Sequence, residues 1–229
     1  MRFDVLTLFP EIIESYCNVS IMKRAKEGEV FSLNTVNPRD FTLDKHKKVD
    51  DTPYGGGAGM VLMPQPYIDA YDSVEKLENS ITVMLSPQGE PLNEKLVFDL
   101  AKYDQIIMLC GHYEGFDERI REIIKPKEIS LGDFVLTGGE LPALCLLDSV
   151  SRKLDGTLGK IQSAEEDSFS NGLLEYPHYT KPRDFRGYKV PEVLLNGNHK
   201  EINEFRQTQQ IERTKLRRPD LYEKWKENN

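Results

Sequence analysis

Ile81-Thr82-Val83-Met84-Leu85 and Gln105-Ile106-Ile107-Met108-Leu109-Cys110 are short runs rich in apolar and β-branched residues. Neither alternates cleanly between apolar and polar, so both read as central strands covered on two faces. Between them, Leu92 to Ala101 sets Leu92, Leu96, Val97 and Leu100 at the spacing of one helix face. Strands separated by helices of this length indicate a parallel α/β sheet. Working outward, Phe3 to Phe9 reads as another strand, and Pro10 opens a helix through Tyr16, since proline is preorganised for a first helical turn. Ser20 can cap a second short helix that ends before Gly28. Phe31 to Val36 reads as a strand, and Glu140 to Leu154 repeats the helical spacing through Leu141, Leu144, Cys145, Leu147 and Asp148.

The alternation stops after Leu154. Asp155 to Gly172 holds Gly, Ser, Asn and a run of acids, with little apolar content beyond Leu158, Ile161 and Phe169, and reads as an exposed linker or mobile loop. Asn203 to Leu216 and Asp220 to Lys226 then read as helices rich in Gln, Arg, Lys and Glu. The expected organisation is an α/β domain over 1–158, a linker or lid over 159–172, and a small all-α domain over 173–229.

At 229 residues, with 38% apolar and 30% charged side chains, the chain is neither low-complexity nor disordered. No apolar run approaches the roughly 18 residues of a membrane helix. Met1-Arg2-Phe3-Asp4 leads straight into a strand without a signal-peptide pattern. Cys17, Cys110 and Cys145 are few and far apart, so neither a disulfide framework nor a zinc site is expected. Each sits among apolar neighbours and reads as a small buried hydrophobe. A cytoplasmic location follows. The net charge of −8 conceals an asymmetry. From Tyr176 onward, Lys and Arg outnumber Asp and Glu by twelve to eight, whereas the first 175 residues hold 18 basic and 30 acidic side chains. That imbalance suggests different partners for the two parts.

Several stretches could carry chemistry. Pro53-Tyr54-Gly55-Gly56-Gly57-Ala58-Gly59-Met60 matches neither a dinucleotide fingerprint nor a phosphate loop, and is either a flexible surface loop or a close approach to a ligand. Three loops each follow a strand-like run: Ser86-Pro87-Gln88-Gly89-Glu90, Gly111-His112-Tyr113-Glu114-Gly115, and Ser130 through Glu140. Ligands of open parallel sheets bind beyond the carboxyl ends of the strands, so three such loops point to one shared pocket. Asp167, in the acidic run Glu165-Glu166-Asp167-Ser168-Phe169, lies beyond the helix that carries Arg152. That run is either a solvated surface or a closing loop that presents a general base.

Together these segments resemble the bacterial tRNA (guanine-N1)-methyltransferase family, of the SPOUT class of S-adenosylmethionine-dependent methyltransferases. The likeness rests on Asp50 to Met60, Leu85 to Gly89, Cys110-Gly111-His112-Tyr113-Glu114-Gly115-Phe116-Asp117-Glu118-Arg119, Ser130 to Glu140, Glu166 to Phe169 and Pro177 to Pro182. It spans essentially the whole chain in order. The resemblance implies a deep trefoil knot in the parallel-sheet domain, a homodimer with shared active sites, and a helical tRNA-binding domain. The implied substrate is tRNA with a guanosine at position 37, 3′ of the anticodon. S-adenosylmethionine would be the methyl donor. Magnesium is associated with the family, although no ligand cluster is assignable. The donor would be held by Ser86, Pro87, Gly111, Tyr113, Glu114, Ser130, Leu131, Gly132, Asp133, Phe134, Val135, Leu136, Gly138, Gly139 and Pro142. Asp167 takes the position of the general base, and Arg152 that of its partner arginine.

The sequence departs from the family where His112 replaces an arginine and Glu175 an aspartate. Guanine N1 is protonated at neutral pH, so methylation requires a base, and the charge that grows on O6 requires a cation. A knotted methyltransferase acting on ribose 2′-hydroxyls is the alternative enzyme, and a non-catalytic RNA-binding module the alternative from another class. The acidic balance of the first 175 residues opposes the latter.

Overall fold

The computed structural model describes residues 1–158 and 167–228, and the chain forms two compact units, Met1–Gly159 and Lys160–Asn229. The first unit begins with β1 (Arg2–Leu6), α1 (Pro10–Cys17), α2 (Ser20–Glu27), β2 (Ser32–Val36), β3 (Asp50–Asp51), β4 (Val61–Leu62) and α3 (Pro64–Ser73). It continues with β5 (Ser80–Pro91), α4 (Glu94–Leu100), β6 (Gln105–Cys110), α5 (Glu118–Ile124), β7 (Lys127–Ser130) and α6 (Glu140–Ser151). Five strands form one parallel sheet in the order β2-β1-β6-β5-β7. The antiparallel pair β3-β4 stands apart from it.

The run 105–110 is buried at every position, as a strand covered on both faces must be. Its side chains alternate between two cores. Ile106, Met108 and Cys110 join Phe3, Val5, Val83 and Leu85 beneath α1, α2, α4 and α6, whereas Ile107 and Leu109 join Leu6 and Met84 beneath α3 and α5. Burying each large aliphatic chain contributes about 1.5–3 kcal/mol, so both layers are needed to hold β6. Asp4 is buried in β1 without loss, because Arg2, Asn34 and Gln105 all donate to its carboxylate at 2.7–2.8 Å.

Three local expectations are corrected. The strand at the amino terminus ends at Leu6 rather than Phe9, because the Thr7 side chain turns inward and Phe9 becomes the N-cap of α1. Ser20 does not cap α2: Val19 holds that position, and Ser20 is the first helical residue, with φ +51°. On α6 the buried set is Glu140, Ala143, Leu146, Leu147, Val150 and Ser151, while Leu141 and Cys145 are exposed. The helix is apolar on two sides, and the sheet accepts the side on which small Ala143 allows close approach. Cys17 and Cys110 are buried as expected.

The second unit contains a minimal ribbon, β8 (Asp184–Phe185) paired antiparallel with β9 (Tyr188–Lys189), then α7 (His199–Arg217) and α8 (Pro219–Glu227). The ribbon, together with a 3₁₀ turn at Glu192–Leu194, departs from an all-α description. Asn198 caps α7 by accepting from the backbone N–H groups of Lys200 and Glu201. Thr214 of α7 accepts from the Leu174 N–H at 2.8 Å and ties the incoming chain to the helix. No helix among the described residues is long and apolar enough to cross a membrane. The linker expected over 159–172 lies outside the described residues from 159 to 166; from Asp167 to Gly172 the chain makes turns.

Candidate active site

The site lies at an interruption within β5 and at the carboxyl ends of β6 and β7, where three loops meet around a cavity of about 240 Å³. The β5 loop arises from a break in register. Leu85 and Glu90 both pair with Ile129, so residues 86–89 arch out of the strand. Ser86 Oγ accepts from the Gln88 N–H at 3.1 Å and folds the arch on itself. At its far end Gly89 lies directly on the backbone of β7, where a β-carbon would be only 2.6 Å from Ile129 Cα.

The β6 loop turns at Tyr113 and Gly115, both with positive φ. It is fastened to β4: the Glu114 N–H donates to the Met60 carbonyl at 3.0 Å, and the Leu62 N–H donates to the Gly115 carbonyl at 2.9 Å. The β7 loop starts at Ser130, whose Oγ accepts from the Gly132 N–H at 3.1 Å. It returns through Gly138 and Gly139 beside the β6 loop, where His112 pairs with Gly138 and the Gly139 N–H donates to the Gly111 carbonyl at 2.8 Å. A β-carbon at Gly139 would lie 2.7 Å from Cys110 Cα, so two peptide backbones touch here.

Behind the cavity, Glu140 is buried at the first turn of α6, where the helix dipole favours a carboxylate, and it accepts from the Thr7 hydroxyl at 2.7 Å. Burial, and then the Glu140 charge, push the Cys110 thiol well above its ordinary pKa. The Tyr67 phenol, also raised mainly by burial, donates to the Cys110 carbonyl at 3.0 Å. Both groups are therefore neutral at physiological pH and act as packing.

The cavity is lined by Ser86, Pro87, Gly111, Tyr113, Glu114, Ser130, Leu131, Phe134, Val135, Leu136, Gly138, Gly139 and Pro142, all singled out from the sequence. Gly132 and Asp133 are in the same loop but do not line it: Gly132, at φ +152°, lets the Phe134 ring lie against the backbone in their place. Phe116, Thr137 and Arg121 also line it and were not among the residues assigned to the donor. The first two continue the same loops. Arg121 comes from α5, held by Glu118 at 3.0 Å and Glu128 at 3.2 Å, and no local motif marks it.

The cavity combines apolar walls at Leu85, Ile129, Leu131 and Pro142, bare peptide edges at the glycines, one carboxylate, Glu114, and one guanidinium, Arg121, which Glu118 and Glu128 already engage. Such a lining suits a flat heterocycle attached to a positively charged group. Arg152 follows α6 directly in the first unit, and its N–H donates to the Asp148 carbonyl at 3.0 Å. Asp167 belongs to the second unit, where its carbonyl accepts from the Ser170 N–H at 3.3 Å. No three His, Cys, Asp or Glu side chains among the described residues gather to hold a metal ion.

Residues 1–224 match the family model described as tRNA (Guanine-1)-methyltransferase TrmD. A tRNA (guanine-N(1)-)-methyltransferase of Clostridioides difficile strain 630 is 54% identical over 227 residues, which cover 98% of each chain. The enzyme of the same name from Desulforamulus reducens is 52% identical over 96% of this chain and 88% of its own. That of Staphylococcus aureus strain JH9 is 51% identical over 98% of this chain and 92% of its own.

Proposed function

The chain belongs to the tRNA (guanine-1)-methyltransferase family and is a tRNA (guanine-N1)-methyltransferase, and we propose that it moves the methyl group of S-adenosylmethionine to N1 of the guanosine at position 37, 3′ of the anticodon. The observation that carries this reading is the meeting of three loops around one cavity whose lining joins apolar side chains, bare peptide edges and the Glu114 carboxylate. When bound, S-adenosylmethionine supplies a methyl group on a positively charged sulfur. The loop residues that line the cavity would hold it, with peptide edges reading the flat ring and Glu114 opposite the positive charge.

The remaining chemistry falls to the chain's own side chains. Asp167 accepts the N1 proton, without whose removal the ring nitrogen has no lone pair to offer. Arg152 stabilises the charge left on O6, and a guanidinium stays cationic throughout the pH range of the reaction. Holding donor and base in one geometry supplies much of the remaining rate.

A trefoil knot through the three loops and a cytoplasmic location beside the tRNA pool belong to the same reading. A homodimer with shared active sites does too. The apolar face that α1 and α6 leave exposed, with Ile12, Tyr16 and Leu141, supports a second copy as its cover. The basic surplus from Tyr176 onward supports a tRNA-binding role for residues 173–229.

Purified protein incubated with labelled S-adenosylmethionine and unmodified tRNA, carrying guanosine or adenosine at position 37, tests the proposal. Label enters only the guanosine substrate. Asp167→Ala loses on the order of 10²–10⁴-fold in rate, with donor affinity retained. Turnover equal to the parent's would remove Asp167 from the mechanism.

A further inference from the structure

Twelve consecutive residues, His178 to Lys189, are exposed. Within them, Lys181, Arg183, Arg186 and Lys189 face one acid, Asp184, whose carboxylate already accepts from the Gly187 N–H at 3.0 Å. The β8–β9 ribbon shapes the end of this stretch. Arg186 at φ +55° and Gly187 at φ +85° are the left-handed pair that a tight two-residue hairpin requires. Phe185 pairs directly with Tyr188, and opposed residues of an antiparallel pair share a face. The two side chains therefore leave the ribbon on one face, the residues 60% and 83% exposed, and the Arg186 guanidinium lies 5.3 Å from the centre of the Phe185 ring.

The root of the segment is held firmly. Tyr176 is buried, with His178 at 4.8 Å and the Arg206 guanidinium of α7 at 4.6 Å from its ring. The tight hairpin thus displays two aromatic side chains in a stretch that also carries four cations. Exposed aromatic rings stabilise unpaired bases by stacking, and flanking cations neutralise the phosphates between them. A duplex offers no free base faces, so the match is to a single-stranded stretch. An apolar protein groove would account for the rings but not for four cations against one engaged acid.

We propose that the β8–β9 ribbon is a stacking platform for unpaired loop nucleotides of the tRNA, with Phe185 and Tyr188 covering bases and Arg183, Arg186 and Lys189 contacting phosphates. This inference rests on the reading of the chain as a tRNA methyltransferase. The test uses the full-length protein and an unmodified tRNA transcript, with affinity measured across a salt series. Phe185→Ala and Tyr188→Ala each weaken tRNA binding by about 5- to 150-fold and raise KM for tRNA, whereas kcat, donor affinity and circular dichroism stay at parental values. Phe185→Leu is as weak as the alanine variant, and Phe185→Trp restores binding.

The aromatic variants leave the slope of log affinity against log salt unchanged, while Arg186→Ala flattens it by about 0.7. Parental tRNA affinity in both alanine variants would overturn the platform, as would full rescue by leucine or equal competition by a duplex and an unstructured oligonucleotide. A parent protein that neither binds nor methylates tRNA would instead overturn the reading beneath it.

Discussion

The arch at residues 86–89 exists because Gly89 has no side chain, and Gly89→Ala isolates that cause. Its φ lies outside the left-handed region, so alanine can adopt the same backbone and adds no torsional strain. What changes is contact alone. The new methyl carbon would sit 2.6 Å from Ile129 Cα, and closer still to Ile129 N and Glu128 C, against an ordinary carbon separation of about 3.5–4.0 Å. Backbone atoms of a paired strand cannot rotate away as a flexible side chain can, so β5 and β7 must separate by roughly 1 Å. Overpacking of this kind costs about 1–3 kcal/mol, here at the upper end. In a chain of this size that lowers Tm by roughly 6–12 °C.

The displacement also moves Ser86 and Pro87 relative to Ser130 and Leu131 across the cavity. S-adenosylmethionine affinity should then fall by about ten-fold or more, equivalent to ~1.4 kcal/mol. Differential scanning calorimetry and isothermal titration measure the two effects. Gly55→Ala is the control: its added carbon would meet nothing within 4 Å, and only the strain of φ +86° remains, about 1 kcal/mol with no effect on the donor. A Gly89→Ala protein that melts within about 2 °C of the parent and binds donor equally well would refute backbone contact as the cause of the arch.

Two further outcomes follow from other parts of the fold. Leu141→Glu alters an exposed residue of α6, so the protomer should keep its circular dichroism while light scattering shows a shift from dimer to monomer and methylation falls with it; a dimer of unchanged mass would remove this face from the interface. Asp117 caps α5 and binds Arg119 through two bonds of 2.7–2.8 Å, which holds its carboxyl below the usual range. A lowered folded-state pKa gives stability that is present above about pH 4 and lost as pH falls through the folded value. Asp117→Asn keeps an oxygen to cap the helix but cannot ionise, so its Tm deficit against the parent should hold from about pH 7 to 5 and shrink towards pH 3.

Much of the sheet was legible because burial on two faces leaves unmistakable apolar runs at 81–85 and 105–110. β7 was the least legible strand: Lys127-Glu128-Ile129-Ser130 is short, and its placement at the sheet edge comes from pairing with β5 rather than from any pattern of its own. The orientation of α6 was misread because its apolar residues occupy two sides, and periodicity cannot say which side meets the sheet. Glu140 was read as part of a loop motif, yet it is a buried carboxylate whose donor, Thr7, lies 133 residues away. The cavity was legible through its glycines, since they mark an interruption in one strand and the ends of two others. Arg121 was not, because its position depends on how α5 packs and on Glu128 rather than on neighbours in sequence.

The order β2-β1-β6-β5-β7 has a consequence for biosynthesis. β1 leaves the ribosome about a hundred positions ahead of β6, the strand that closes its second edge. At elongation speeds of roughly 5–20 residues per second, Phe3, Val5 and Leu6 wait on the order of 5–20 s beside an open row of peptide groups. Until β6 is made, β1 therefore presents one unpaired edge to other chains, and slow codons placed before residue 105 would prolong that interval.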